Sequence, residues 1–163
     1  MRGHRLGLVA SSDGHDGNPG NAQWSWRQPH IHHRLGSGFI AVLADELTRA
    51  SVWDAMYARR CYATTGTRMI VDFRVNDAIM GSEISVRYGD PRVIEAAVTG
   101  TAPLERLELV RNGQVVVRHQ CDDMSSHFRA EDVDAEGPAF YYLRAYQSDG
   151  EMAWSSPVWV DPA

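Results

Sequence analysis

Asp13 and His15 are the first residues of the chain whose types and spacing suit metal chemistry. They stand two positions apart in SSDGHDGNPG, directly after the apolar stretch LGLVA. If that stretch is a strand, both side chains project from its end on the same side, because side chains alternate along a strand. A carboxylate and an imidazole placed in this way can bind a divalent cation. The alternative is a solvated turn in which Asp13 caps the local backbone.

Two further groups could extend such a site. His30 and His32 share the same two-residue spacing within HIHH, so their imidazoles face one way if the segment is extended. They would then complete a ligand set with Asp13 and His15, or else remain solvated or contact substrate in a loop. Two arginines follow later in the chain, and a guanidinium there could hold an anionic substrate through paired hydrogen bonds.

Those arginines, Arg59 and Arg60, also have a structural alternative. They fall at the end of a predicted helix, where positive charge stabilises the carboxyl-terminal carbonyl groups. In that case the residues that follow, in CYATTGTR, shape the turn after the helix. Both interpretations of Arg59 and Arg60 remain open at the level of sequence.

Composition excludes several classes of partner. The chain has 163 residues, is 44% hydrophobic and carries a formal net charge of -5 without a basic block, so we expect no nucleic-acid partner. No apolar run approaches the roughly 20 residues of a bilayer-spanning helix, so we expect no membrane partner. The two cysteines, Cys61 and Cys121, are too few for a disulfide framework, and we expect free thiols with Cys61 buried, although one bridge stays open.

The elements that would position these residues fall into two regions. Residues 5–12 are predicted to form a short buried strand, 16–38 a long loop, and 48–60 a helix that begins after Thr48 as its N-cap. Beyond residue 66 the chain alternates between apolar and polar residues, with Asn112-Gly113 typical of a type I′ hairpin. This pattern predicts a mainly β fold, an immunoglobulin-like antiparallel β-sandwich, with strands at 69–75, 83–88, 92–99, 104–111, 114–119, 139–147 and 152–160.

Four segments together resemble a known family. They are LGLVASSDGHDGNPG, AVLADELTRASVWDAMYARRCYATTGTRMIVDFRVNDAIMGSEI, LELVRNGQVV and YYLRAYQSDGEMAWSSPVWV. They are similar to the C-terminal part of PHP-superfamily (polymerase and histidinol phosphatase) metallohydrolases of the CehA/McbA-like branch. The resemblance implies a β/α barrel that binds zinc, manganese or iron and hydrolyses phosphoesters or related esters, with Asp13 and His15 as the last ligand motif. Metal-bound water would supply the nucleophile.

The chain departs from that family in one respect that shapes the prediction. The His-x-His motif that opens the family's barrel is not found before Asp13. We therefore expect residues 1–66 to be the C-terminal remnant of a PHP-type barrel (strand, metal loop and helix) and residues 67–163 to be the β-sandwich domain. The metal site is then incomplete, because a catalytic zinc ion normally has three protein ligands.

These expectations set the predicted function and partners. The chain is predicted to be the C-terminal fragment of a metal-dependent hydrolase, inactive by itself, whose partner is the missing N-terminal barrel segment. Apolar surface exposed on the remnant would also promote a homo-oligomer. The alternative is a non-catalytic β-sandwich module for binding or interaction.

Overall fold

The computed structural model describes residues 3–11, 38–133 and 137–163 of the chain. Within these ranges the chain forms twelve strands and one helix, and that helix is too short to cross a bilayer. In chain order the elements are β1 (Phe39–Val42), α1 (Arg49–Tyr57), β2 (Cys61–Thr64), β3 (Ile70–Val75), β4 (Ala78–Ile79), β5 (Glu83–Val86), β6 (Arg92–Thr99), β7 (Leu104–Arg111), β8 (Gln114–Gln120), β9 (Ser125–Asp132), β10 (Ala139–Gln147), β11 (Met152–Ser155) and β12 (Val158–Pro162).

The strands form two sheets. The larger sheet has the order β1-β2-β11-β10-β12-β5, and β7 pairs both with β10 and with β8. The smaller sheet has the order β4-β3-β6-β9. Among the described strands all pairs are antiparallel except β5 with β12, which run parallel. The predicted mainly β fold is therefore confirmed.

The core lies between the two sheets. Alternate residues of β3 and of β10 are buried, as the period of two of a strand requires. Phe73 of β3, Ile94 of β6 and Leu107 of β7 are fully buried, as is Tyr141 of β10. Because these side chains come from both sheets and belong to one continuous cluster, the sheets pack face to face as a sandwich.

The hairpin between β7 and β8 forms at the predicted dipeptide. Asn112 and Gly113 have φ values of 50° and 84°, and both positive angles are those that a type I′ turn requires. Asn112 also ties the hairpin to the neighbouring strand, because its amide donates to the carbonyl of Phe140 at 3.0 Å and its Oδ1 accepts from the Phe140 amide at 3.0 Å.

The first part of the chain differs from the prediction. Residues 3–11 are not a strand, and the described residues do not show a barrel remnant. Instead β1, to which the sequence analysis assigned no element, and β2, which it assigned to a turn, form an antiparallel pair at one edge of the larger sheet. The predicted domain boundary at residue 66 stays a prediction. Strand β2 lies before this boundary and is hydrogen-bonded to β11, which lies after it.

Helix α1 begins where the sequence predicts. The side-chain oxygen of Thr48 accepts a hydrogen bond from the amide of Ser51 at 3.2 Å, which is the N-cap interaction. The apolar residues of the helix are not buried as a stripe, however, because Ala55 is the only buried residue of the helix. The helix therefore packs on the sandwich through a small side chain.

Candidate functional site

The predicted metal ligands Asp13, His15, His30 and His32 lie outside the described residues. Their roles stay predictions. In the ranges that the structure describes, no group of three or more histidine, cysteine, aspartate or glutamate side chains is placed to hold a metal ion.

Arg59 links the end of α1 to the sandwich. Its φ of 60° lies in the left-handed region, and its guanidinium donates to the carbonyl of Gly81 at 3.2 Å and to a carboxylate oxygen of Glu83 at 2.7 Å. The same guanidinium lies 4.9 Å from the ring centroid of Trp159, which is a cation–π contact. Arg60 is exposed. A substrate contact by Arg59 or Arg60 stays a prediction.

Residues 3–11, which we call the N-terminal strap, lie across the larger sheet. The amide of Leu8 donates to Ser156 Oγ at 2.9 Å, and the carbonyl of Leu8 accepts a weak hydrogen bond from the buried thiol of Cys61 at 3.5 Å. Arg5 forms ion pairs with Glu83 and Asp161, each at 2.5 Å. These contacts fix the strap to β2, β5 and β12 at three points.

Close packing explains the glycine at position 7 of the strap. A Cβ at Gly7 would lie 3.1 Å from the Cβ of Arg59 and 3.2 Å from Ser156 Oγ. The strap therefore passes directly over the end of α1. Both cysteine thiols are free, and Cys61 is the buried one.

An open apolar groove of about 510 Å³ lies between the strap and the outer face of the larger sheet. Phe140 and Tyr142 alternate along β10 on this face, and their rings are 6.4 Å apart and nearly parallel, at 11°. Trp154 of β11 adds a third ring. The groove, which we call the strap groove, is lined by Leu8, Val9, Ala10, Ala63, Phe140, Tyr142, Trp154 and Pro157.

A group of charges continues the same cross-strand row. Arg118, Glu108, Arg144 and Trp154 are successive partners across β8, β7, β10 and β11. Glu108 is 4% exposed although it lies on the outer face of the sheet, since its neighbours Leu107 and Leu109 point into the core. We call Glu108 with Arg106, Arg118 and Arg144 the glutamate cluster.

The glutamate cluster is held together by charge. Arg106 Nε and Arg118 Nε both donate to Glu108 Oε1 at 3.2 Å, and Arg144 Nη2 lies 2.7 Å from Oε2. Burial alone would raise the pKa of Glu108, but the three guanidinium groups outweigh burial and hold that pKa below its usual value. Arg106 also pairs with Glu105, so three cations face two anions and one positive charge remains in excess near the strap groove.

A second charged network, partly buried, links the two sheets. The hydroxyl of Tyr141 donates to Asp132 at 2.8 Å and accepts from Arg92 at 3.1 Å, while Arg111 holds both carboxylate oxygens of Asp132 at 2.7 and 2.8 Å. Burial is the main reason that the pKa of Tyr141 rises to about 12. Each polar group of this network has a partner, so the network joins β6, β7, β9 and β10.

Helix α1 presents its largest apolar side chains to solvent. Trp53 is 66% exposed and Tyr57, four residues later on the same face, is 81% exposed. Met56 is exposed beside them, and Leu47 just before the helix is 98% exposed. Sequence analysis predicted the helix but did not predict this exposed surface. The sequence could have indicated it, because Trp53 and Tyr57 are four residues apart on one side of the helix and Ala55 lies on the opposite side.

Comparison with known proteins gives a family match over part of the chain. Residues 27–104 match a family described as a protein of unknown function, DUF3604. Curated relatives are uncharacterized proteins of Chlamydia pneumoniae, Chlamydia muridarum and Chlamydia trachomatis, at 40%, 39% and 38% identity over alignments of 140 residues, and each match covers 76% of this chain. The chain spans 22–23% of the length of these relatives.

Solved structures similar to this chain are β modules at low identity. One is described as fibronectin(III)-like modules of Clostridium thermocellum CbhA, with 19% identity, a TM-score of 0.42, and coverage of 55% of this chain and 93% of that chain. Another is the CARDB domain of a Pyrococcus furiosus protein, with 10% identity, a TM-score of 0.37, and coverage of 59% and 93%.

The family comparison corrects the sequence-based assignment. The resemblance to PHP-superfamily metallohydrolases is wrong, because the family model that matches is the one of unknown function. The names metallohydrolase and phosphoesterase, which depended on that resemblance, have no support and are withdrawn. Residues 27–104 of the chain are similar to the DUF3604 family.

Proposed function

We propose that this chain is a non-catalytic β-sandwich module that binds a protein segment in the strap groove. The observation that carries the proposal is the groove itself, an open apolar surface with three aromatic rings on the outer face of a sheet. Apolar surface of this kind on an otherwise charged protein is typical of interaction sites. The packed core and the internally paired charges give the groove a rigid support.

The chemistry of the groove indicates the kind of segment that it would bind. Its lining is aliphatic and aromatic, so the segment must supply apolar side chains. At its Trp154 end the groove is followed by Arg144, the cross-strand partner of Trp154, and Arg118, which is 65% exposed, lies two strands farther along the same row. A carboxylate on the segment would pair with these guanidinium groups. The proposed ligand is therefore an extended apolar segment followed by an acidic residue.

The relatives suggest where such a segment could come from. More than three quarters of each curated relative lies outside the length that this chain spans. The proposed role is to hold one segment of such a longer polypeptide against the sandwich. The surface supports this role because it is already partly covered by a segment of the same chain, the strap.

The proposal is tested with overlapping peptides that cover the rest of the Chlamydia pneumoniae relative. Binding to this chain is measured by fluorescence anisotropy of labelled peptides, and we expect at least one apolar peptide with an acidic residue to bind. Tyr142→Ala should weaken its affinity by about tenfold or more, since truncating a buried aromatic contact at a binding surface costs more than 1 kcal/mol. Tyr142→Phe, which keeps the ring, should retain most of the affinity.

A matched control lies on the other sheet. Ile70 is 66% exposed on β3, far in the fold from the strap groove, so Ile70→Ala should leave the affinity unchanged. Circular dichroism checks that each variant is folded. If no peptide binds, or if binding is the same in wild type and Tyr142→Ala, the groove is not the binding site.

A further inference from the structure

The strap covers a row of small side chains on the outer face of the larger sheet. Tyr62 belongs to the core, so Cys61 and Ala63 on either side of it point to the opposite face of β2. Both are nevertheless buried, at 2% and 5% exposure, and Ser156 beside them is fully buried. The strap lies over this face, where Leu8 contacts Cys61 and Ser156. The burial of these small side chains therefore depends on the strap.

The strap itself is held less firmly than the strands beneath it. Residues 3–11 form no strand, and the amide and carbonyl groups of Leu8 bond to side chains of the sheet. The side chains of Leu6 and Val9 are 71% and 63% exposed, so they bury little apolar surface. A segment with few buried apolar contacts opens at a lower free-energy cost than the core does.

One arginine supplies the ionic attachment of the strap. The guanidinium of Arg5 lies 2.5 Å from a carboxylate oxygen of Glu83 and 2.5 Å from one of Asp161, so it ties the strap to β5 and β12. These three side chains are 31%, 43% and 39% exposed, so water and salt reach both ion pairs. The other end of the strap is held by close packing, because a Cβ at Gly38 would lie only 2.8 Å from the Cβ of Ala10. The strap therefore opens most easily from its Arg5 end.

We propose that the strap is a latch, which opens when Arg5 leaves Glu83 and Asp161 while the sandwich stays folded. Opening uncovers the thiol of Cys61 and removes residues 8–10, which form one wall of the strap groove. The strap groove is then complete only while the latch is closed. The inference rests on the contacts of the strap and not on what the groove binds, so it does not depend on the proposed function.

Alkylation of the full chain by iodoacetamide under native conditions tests the latch. The thiol of Cys61 reacts only when it is uncovered, so its rate of alkylation reports how often the strap is open. Peptide mass spectrometry after digestion measures Cys61 and Cys121 separately. Arg5→Ala should raise the rate at Cys61 by about fivefold, because two partly exposed ion pairs are lost, and should leave the rate at Cys121 unchanged.

A matched control and a charge exchange show whether the latch is ionic. Arg74→Ala removes an ion pair with Asp72 of similar exposure from the smaller sheet, and it should leave the rate at Cys61 unchanged. Sodium chloride at about 1 M should raise the rate at Cys61 in the wild type by screening, and much less in Arg5→Ala. Arg5→Asp should raise the rate further than Arg5→Ala, and adding Asp161→Arg to it should bring the rate back toward that of the wild type.

Urea distinguishes opening of the strap from unfolding of the whole chain. Urea concentrations below the unfolding transition should barely change the rate at Cys61, because opening the strap exposes little surface. If the rate instead rises with the slope of global unfolding, the thiol is uncovered only in the unfolded chain and the proposal fails. An Arg5→Ala variant that is folded by circular dichroism and is alkylated at the wild-type rate would also overturn it.

Discussion

Replacement of Glu108 with glutamine is expected to lower the free energy of unfolding by about 2–2.5 kcal/mol at pH 7. Glutamine has nearly the same shape as glutamate, so the substitution removes the charge without opening a cavity. It also places an amide donor where a carboxylate oxygen now lies 2.7 Å from Arg144 Nη2, or else turns that donor toward Arg106 and Arg118. At least one donor must then face another donor.

The magnitude follows from the exposure of each partner. Arg118 is 65% exposed, so its contact with Glu108 is worth about 0.5 kcal/mol or less. The side chains of Arg106 and Arg144 are 25% and 28% exposed, and a charged hydrogen bond of that kind contributes about 1 kcal/mol each. The sum stays below the value of a fully buried pair, which is about 3–5 kcal/mol.

Urea denaturation followed by tryptophan fluorescence measures the effect. The matched control is Glu105→Gln, whose carboxylate is 54% exposed and pairs with Arg106, and we expect a change below about 0.5 kcal/mol. The stabilisation by Glu108 is present above the pKa of the unfolded carboxyl group and is lost as the pH falls through the lower pKa of the folded state. The wild type should therefore lose more stability than Glu108→Gln below about pH 4.5. A Glu108→Gln variant as stable as wild type at pH 7 would refute this account.

Three further predictions concern the core, the turns and the buried tyrosine. Phe73→Ala should lower the free energy of unfolding by about 3–5 kcal/mol, whereas Ile70→Ala on the same strand should change it by less than about 0.5 kcal/mol, as measured by urea denaturation. Gly81→Ala should cost about 2–4 kcal/mol, because φ is +91° and a Cβ would lie 2.5 Å from a backbone oxygen. Gly89→Ala, with φ of +85° and open space around it, should cost only about 1 kcal/mol, and equal losses would contradict the steric argument. Unfolding free energy should fall between about pH 10 and about pH 12, where the unfolded tyrosine ionises before Tyr141 does, and the fall should be smaller in Tyr141→Phe.

Much of the sandwich could be predicted from local sequence, because strands such as β6 and β10 alternate between buried and more exposed residues. The predicted strands at 92–99, 104–111 and 139–147 coincide with β6, β7 and β10. The Asn112-Gly113 turn was also predictable, since few other dipeptides accept two positive φ values. For these strands and this turn, the structure that the local sequence favours is also the one found in the folded protein.

Other strands were missed for identifiable physical reasons. β9 reads SSHFRAED and buries only Phe128, so its pairing with β6 comes from the neighbouring strand and not from its own composition. β2 is buried on both faces, with the pattern CYAT, and looks like a turn because it is followed by threonine and glycine. Its pairing partner β11 is distant in sequence, so no local pattern indicates it.

The candidate surfaces were harder to predict than the fold. The strap groove depends on the strap crossing three strands from other parts of the chain, and spacing alone does not show such a contact. The exposed aromatic face of α1 was missed because apolar residues in a helix are ordinarily assigned to a core. Where α1 packs on the sheet through Ala55, that general rule is reversed.

The pairing of β2 with β11 has a consequence for how the chain acquires its structure during synthesis. Thr64 and its partner Ala153 are separated by about 90 residues, which take a ribosome roughly 5–20 s to add. Throughout that interval β1 and β2 form only a two-stranded pair, and such pairs are marginally stable alone. This edge of the larger sheet is therefore completed only after β11 has been synthesised, and folding of the whole chain is expected to be slow for its size.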